Sequence, residues 1–409
     1  MHEIQACRSD FPSLQRSHNG HELAFLDGPG GTQAPRVVID AVTEYFLRFN
    51  SNIHGNFIVS EESDAIIRKC REHLAVLLNA SSWQSISVGP NMTSLNLALS
   101  RAFGNLLRPG DEIVITELDH EANRGPWLNL QKRGIIVQQV PLRQDGTLDS
   151  VGMERRINGN TKLLAIGYSS NALGTVNDIR HARKISAEVG AYLLIDAVHY
   201  APHFCIDVQD IDCDFLLCSA YKFYGPHVGI LYSRPGLLEQ LPVEKISSQD
   251  DSAPYRIESG TQNHEGLNGT IAAIDYIASF GKGKGLRARL VDAMKRFEIY
   301  EYGLARRAYD ELHSMDHVTV FGEPFDGRPR APTIAFVVHG VPSDVVARHL
   351  GANGLLVWDG DFAAGRAIEV LDTVRCNGVV RIGISIYNTM EEIERLVSAV
   401  REMDRKEVK

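Results

Sequence analysis

The strongest constraint in this sequence is a series of short apolar runs, spaced by helical patterns, between Trp83 and Ser233. The runs occupy residues 85–88, 112–116, 135–140, 162–168, 192–196, 214–219 and 228–232. Most are continuous rather than alternating, as expected for strands of a mostly parallel sheet with helices on both faces. Between them Met92, Leu95, Leu99, Ala102, Phe103 and Leu106 recur at helical spacing, and Pro109-Gly110 stops that unit. A second helix is predicted from a cap at Asn177 to Gly190. The alternation of strand and helix predicts an α/β domain.

After about Gly266 the texture changes. Residues 285–315 carry mixed charges and predict a long exposed helix that links two domains. Strands are expected near 318–321, 333–338, 355–358 and 379–385, and Thr389 with Glu392 forms a capping box for a last helix. We therefore expect a large α/β domain over residues 26–279. A smaller α+β domain should be built from residues 1–25 and 280–409, including the linking helix.

The 409 residues carry a net charge of −9 with no block of Lys or Arg, which argues against nucleic-acid and anionic-membrane partners. No apolar run is long enough for a spanning helix, and the first residues lack the plan of a secretory signal, so a cytoplasmic location is expected. The six cysteines form no CxxC pair and read as free thiols of a reducing compartment.

The chemistry concentrates in two strand ends. Leu193-Leu-Ile-Asp196-Ala-Val-His199 places an acid at the end of one run, and Ser219-Ala-Tyr221-Lys222 closes the next, followed by Gly225-Pro226. Ligands of open α/β sheets bind at the carboxyl ends of strands, so both groups should face one crevice. Pyridoxal phosphate (PLP) needs this pair: an amine to condense with its aldehyde and a carboxylate to keep its pyridine nitrogen protonated. Taken singly, Asp196 reads equally as a helix cap and Lys222 as a solvated loop residue. Val88-Gly-Pro-Asn91-Met92-Thr93 is a strand–loop–helix junction that suits a phosphate, although an ordinary Asn or Thr cap has the same pattern.

Beyond these, Leu26-Asp-Gly-Pro-Gly-Gly-Thr-Gln-Ala-Pro35, Asn52-Ile-His54, Glu117-Leu-Asp-His120, Ser170-Asn171-Ala-Leu-Gly174, Arg256-Ile-Glu-Ser-Gly260-Thr261 and Tyr387-Asn-Thr389 follow in order. With them the chain resembles the class V aminotransferase branch of fold-type-I PLP enzymes, and most closely the cysteine desulfurase-like proteins. The resemblance implies that Lys222 carries PLP as a Schiff base, Asp196 partners the pyridine nitrogen and His120 stacks on the ring. It implies that Asn91, Met92, Thr93 and Ser219 hold the phosphate, with Thr261 reaching it from the partner subunit of a homodimer with shared sites. Asn171 would lie near the ring oxygen and the substrate, Asn52 and His54 would contact the substrate, and Arg381 would grip its carboxylate.

Three positions depart from the pattern. His199 replaces a glutamine and Tyr221 a histidine, both beside the cofactor. In the loop Trp358-Asp-Gly-Asp361-Phe-Ala363-Ala-Gly-Arg366, alanine stands where desulfurases carry the sulfur-accepting cysteine, and Cys376 lies beyond. The expected activity is therefore C–S β-elimination on a small cysteine-derived α-amino acid without a persulfide cysteine, with Lys222 removing the Cα proton. Transamination, racemisation and a non-catalytic binding module are the alternatives. No tight set of ligands suggests a metal.

Overall fold

We describe the chain from a computed structural model, over residues 2–371, 373 and 376–403. Seven strands form the larger sheet: β1 (Ile86–Gly89), β2 (Glu112–Thr116), β3 (Ile136–Val140), β4 (Thr161–Gly167), β5 (Tyr192–Asp196), β6 (Phe215–Ser219) and β7 (Gly229–Ser233). Their order across the sheet is β1-β7-β6-β5-β4-β2-β3. Only β7 runs antiparallel to its neighbours; the other pairs are parallel. The carboxyl ends of β1, β4, β5 and β6 therefore share one edge, which becomes the floor of the site.

The continuous apolar runs are explained by burial on both faces. Leu163, Ala165, Leu194, Leu217 and Leu231 pack with Phe103 and Trp127 on one side. The alternate residues Leu164, Ile166, Leu193, Ile195, Leu216 and Ile230 pack in the core that contains the long helix on the other. Each such leucine or isoleucine contributes about 1.5–3 kcal/mol by leaving water.

A second, antiparallel sheet contains β8 (Val318–Phe321), β9 (Thr333–Val338), β10 (Trp358–Gly360) and β11 (Val379–Gly383), in the order β8-β9-β11-β10. The run expected over 355–358 is split. Leu355–Leu356 pairs in parallel with Ala24–Phe25, and the chain then changes sheets so that Trp358 pairs with Arg381 on β11.

Two expectations need correction. Asp178, not Asn177, caps the helix Ile179–Glu188, its carboxylate accepting from His181 N at 3.0 Å. Asn177 is buried and donates instead to Gly167 O at 2.7 Å, tying the cap to the end of β4. The long helix Gly285–His313 is not simply exposed, because Leu290, Met294, Phe297, Glu301, Leu304 and Ala308 recur at helical spacing and form a buried face. The capping box of Thr389 and Glu392 is present at the helix Met390–Glu402. All six cysteines are free, four of them buried. Among the described residues no helix is long and apolar enough to cross a membrane.

Candidate active site

The floor of the site is made by two strand ends. Asp196 closes β5, is buried, and accepts from Val198 N at 3.0 Å through Oδ1. Burial pushes its carboxyl up to about 7, with nearby Asp119 adding to the rise, while the Val198 N–H and the Lys222 charge oppose it. Lys222 lies in the tight turn Ala220–Lys222 directly after β6. Its amine donates to the Pro29 carbonyl oxygen and lies 4.7 Å from the centre of the Tyr221 ring. Burial first, and then the charge of Arg381, push that amine down to about 8. A less basic amine is a better nucleophile and base near neutrality.

His120 caps the helix Glu121–Leu128, with Nδ1 accepting from Ala122 N at 2.9 Å. Burial, then Lys222 and Arg381, hold this ring down to about 4, so at neutral pH it is an uncharged flat surface with its proton on Nε2. Asn171 donates to Phe362 O at 3.0 Å. Its own carbonyl accepts from Arg381 Nη1 at 3.1 Å. Arg381, on β11, also donates to Asp27 Oδ1 at 2.8 Å and lies 4.2 Å from the Phe362 ring centre.

The other end of the site is a helix start. Asn91 caps the helix Met92–Gly104 by accepting from Ser94 N at 2.8 Å, and Met92 N donates to Ser219 Oγ at 3.1 Å. The turn lies so close to β7 that a Cβ on Gly229 would come within 2.2 Å of the Asn91 carbonyl carbon, so only glycine permits the approach. His199 is buried with Nε2 3.0 Å from Thr333 Oγ1. Tyr221 stacks on His227 with ring centres 4.7 Å apart.

Asn91, Met92, Thr93, His120, Asn171, Asp196, His199, Ser219, Tyr221, Lys222 and Arg381 all line one cavity of about 810 Å³. Three expected residues do not reach it in their own chain. Asn52 accepts from Ile53 N at 2.9 Å through its side-chain Oδ1, the exposed His54 lies 3.1 Å from Asp64, and Thr261 is exposed. All three are exposed, and none lines the cavity.

Sequence reasoning gave no role to Asp27, Pro29, Asp119, Thr333 or Asp361. Asp119 accepts from Gly167 N and from Asn123 Nδ2, each at 2.9 Å, and burial pushes it up to about 6. The signals were its place next to His120 and the Leu26-Asp27-Gly-Pro29 segment.

The chemistry of the cavity fits PLP. Three buried atoms on its lining residues, Asn171 Oδ1, His199 Nδ1 and Arg381 Nε, have no hydrogen-bond partner among the described residues. Buried polar atoms are costly when unpaired, so they are suited to a polar ligand. The helix start at Asn91–Thr93 suits a phosphate, and the Asp196 carboxyl a ring nitrogen.

A family profile described as Aminotransferase class-V matches residues 24–396. The chain belongs to that family. As a class-V enzyme of the cysteine desulfurase-like group it is PLP-dependent. It is 32% identical to a cysteine desulfurase of Serratia proteamaculans over 98% of both chains. To a probable cysteine desulfurase of Halalkalibacterium halodurans it is 32% identical, over 98% of this chain and 97% of the relative. The structure superposes on a cysteine desulfurase from Thermococcus onnurineus with a TM-score of 0.87, at 27% identity over 97% of each chain. A cysteine desulfurase from Escherichia coli, solved as its S-sulfonic acid, gives 0.84 at 27% identity over 98% of each. The fold is accordingly that of the fold-type-I PLP enzymes.

Proposed function

We propose that this class-V enzyme breaks the Cβ–S bond of a cysteine-derived α-amino acid by β-elimination, with no sulfur carried on the protein. The observation that carries the reading is the cavity lining itself: among the described residues it holds a lysine, five carboxylates and an arginine, but no cysteine. Ala363 occupies the loop position that would supply one, and Cys376 is outside the lining.

Bound PLP would supply an aldehyde for the amine and a ring that accepts electrons from Cα. The chain's own groups do the rest. Arg381 offers a planar fork to the substrate carboxylate, exchanging it for Asp27. Lys222, uncharged in a useful fraction because of its burial, takes the Cα proton. Asp196 would partner the ring nitrogen, and His120, held uncharged by burial, would offer its flat ring to the cofactor. The Cβ–S bond then breaks with its electron pair leaving on sulfur, and water releases pyruvate and ammonia.

The outward placement of Asn52, His54 and Thr261, beside exposed apolar Phe46, Leu47, Phe57 and Ile58, supports a homodimer in which these residues serve the neighbouring site. Six free cysteines suit a reducing compartment such as the cytoplasm.

The test is incubation of purified protein with S-substituted cysteines. The reading expects pyruvate and free thiol in equal amounts. Alanine as the amino-acid product, or a keto acid that keeps the sulfur side chain, overturns it.

A further inference from the structure

Behind the cavity lies a chain of buried groups that the proposed reaction does not use. His199 faces the cavity with Nδ1 free, its Nε2 being engaged by Thr333. The His203 ring packs edge-on to it, centres 5.3 Å apart at 76°. His203 Nδ1 lies 2.8 Å from Glu301 Oε2, on the long helix, and both side chains are almost wholly buried. Glu301 Oε1 has no partner among the described residues. A buried carboxylate with one oxygen unsatisfied is a poor stabilising device, which points to another use.

We propose that Glu301 and His203 are positioning residues that hold His199 singly protonated, so that its Nδ1 donates a hydrogen bond to the ring oxygen of PLP. This deepens the reading above and rests on the cofactor being bound at Lys222. One proton must be shared between the two nitrogens of a neutral imidazole. An anionic oxygen in the cavity draws that proton to Nδ1, and Thr333 then donates its hydroxyl to Nε2. Full protonation of His199 is opposed by burial and by the charges facing it, namely His203, Lys222 and Arg381. Glu301 faces His203 and Glu298, with the neutral Tyr224, Tyr300, Tyr387 and Cys7 around it. Burial raises Glu301 and the contact with His203 opposes that rise, and the 2.8 Å pairing keeps the His203 ring in place against His199.

The readout is the pH at which the visible absorbance band of the bound cofactor is lost, measured on the holoenzyme without substrate. A donor to the ring oxygen loosens its hold on the Schiff-base proton. His199→Phe should therefore move the midpoint upward by about one pH unit, the order expected of one hydrogen bond to a charged oxygen. His199→Gln, which retains a donor and needs no choice of tautomer, should restore it.

Glu301→Gln and His203→Gln should each shift the midpoint the same way by less, and only when residue 199 is His. In the His199→Gln background both should leave it unchanged. A purely structural role for Glu301 and His203 would shift the midpoint in both backgrounds, or in neither, and either result overturns the proposal. If Glu301→Gln does not fold, His203→Gln decides the question alone. Absence of any band in the wild type would instead sink the reading of Lys222 on which this inference stands.

Discussion

Arg381, which lines the cavity, and Asp27, 354 positions away in the chain, form a 2.8 Å ion pair whose two charges act on the amine of Lys222. The arginine side chain is 3% exposed and the aspartate 26%, so the anion is the more easily displaced partner. A substrate carboxylate can take its place on the guanidinium without unburying the arginine.

That relationship gives the first prediction. Arg381→Lys keeps the charge but loses the planar fork, so KM for the amino acid should rise by about tenfold to a hundredfold, with a smaller change in kcat. Steady-state kinetics with one S-substituted cysteine checks this. An unchanged KM would remove Arg381 from the substrate site.

The second concerns pH. The Lys222 amine is held down to about 8, burial being the larger cause and Arg381 the next. The charged form cannot attack an aldehyde, so the rate of PLP uptake by the cofactor-free protein should rise with pH and level off above about 8. Arg381→Gln removes a repelling cation, favours the charged amine, and should move that inflection upward. Linkage has the same sign: between about 8 and the ordinary lysine value of 10.5 the unfolded chain binds the extra proton, so Lys222 makes the cofactor-free fold gain stability as pH rises. Stopped-flow absorbance and pH-dependent denaturation read the two effects.

A third follows from the proposal that no protein thiol accepts the sulfur. Cys376→Ser should retain activity within about twofold, because a surface-adjacent change away from the reacting groups is nearly neutral. Mass spectrometry after turnover should find no protein-bound persulfide. A persulfide on any cysteine, or loss of activity in Cys376→Ser, would return the enzyme to sulfur transfer.

The fourth tests the shared site. Thr261→Val should weaken PLP retention by up to about tenfold, the usual size of one lost hydrogen bond. In a mixed dimer with Lys222→Ala, one site regains both Lys222 and Thr261 and should bind PLP as the wild type does. If the mixed dimer shows only impaired sites, Thr261 does not serve the neighbouring subunit.

The fifth is structural. Arg71 and Glu258 are buried and doubly bonded, at 2.6 and 2.8 Å, and Glu258 also accepts from Val88 N on β1 at 2.7 Å. Arg71→Met strands that carboxylate and should lower the unfolding free energy by about 3–5 kcal/mol. Urea denaturation measures it; a loss below about 1 kcal/mol would show the pair to be dispensable.

The larger sheet was legible because each strand is a continuous apolar run, and the Asp196–Lys222 pair because both groups follow such runs directly. Contacts between distant segments left no local mark. Neither Asp27 nor Thr333 announces that it meets Arg381 or His199, since nothing in the neighbouring residues depends on that pairing. Glu301 was hidden for another reason. In a helix with mixed charges it reads as solvated, yet it shares the face of Phe297, Leu304 and Ala308 and is 1% exposed. The split of the run at residues 355–358 was equally invisible, because Leu355 and Trp358 both suit strands and only the choice of partner sheet separates them.

The segment Asp361–Ala363 carries two successive left-handed residues, Phe362 at φ 55° and Ala363 at φ 54°, and is tied at both ends of that bend. Asn171 holds the Phe362 carbonyl at 3.0 Å, and Glu121 N holds that of Ala363 at 2.7 Å. So held, the bend forms part of the cavity wall. On the proposed reaction the departing thiol leaves the cavity as a small molecule, so its consumer can take it up from solution.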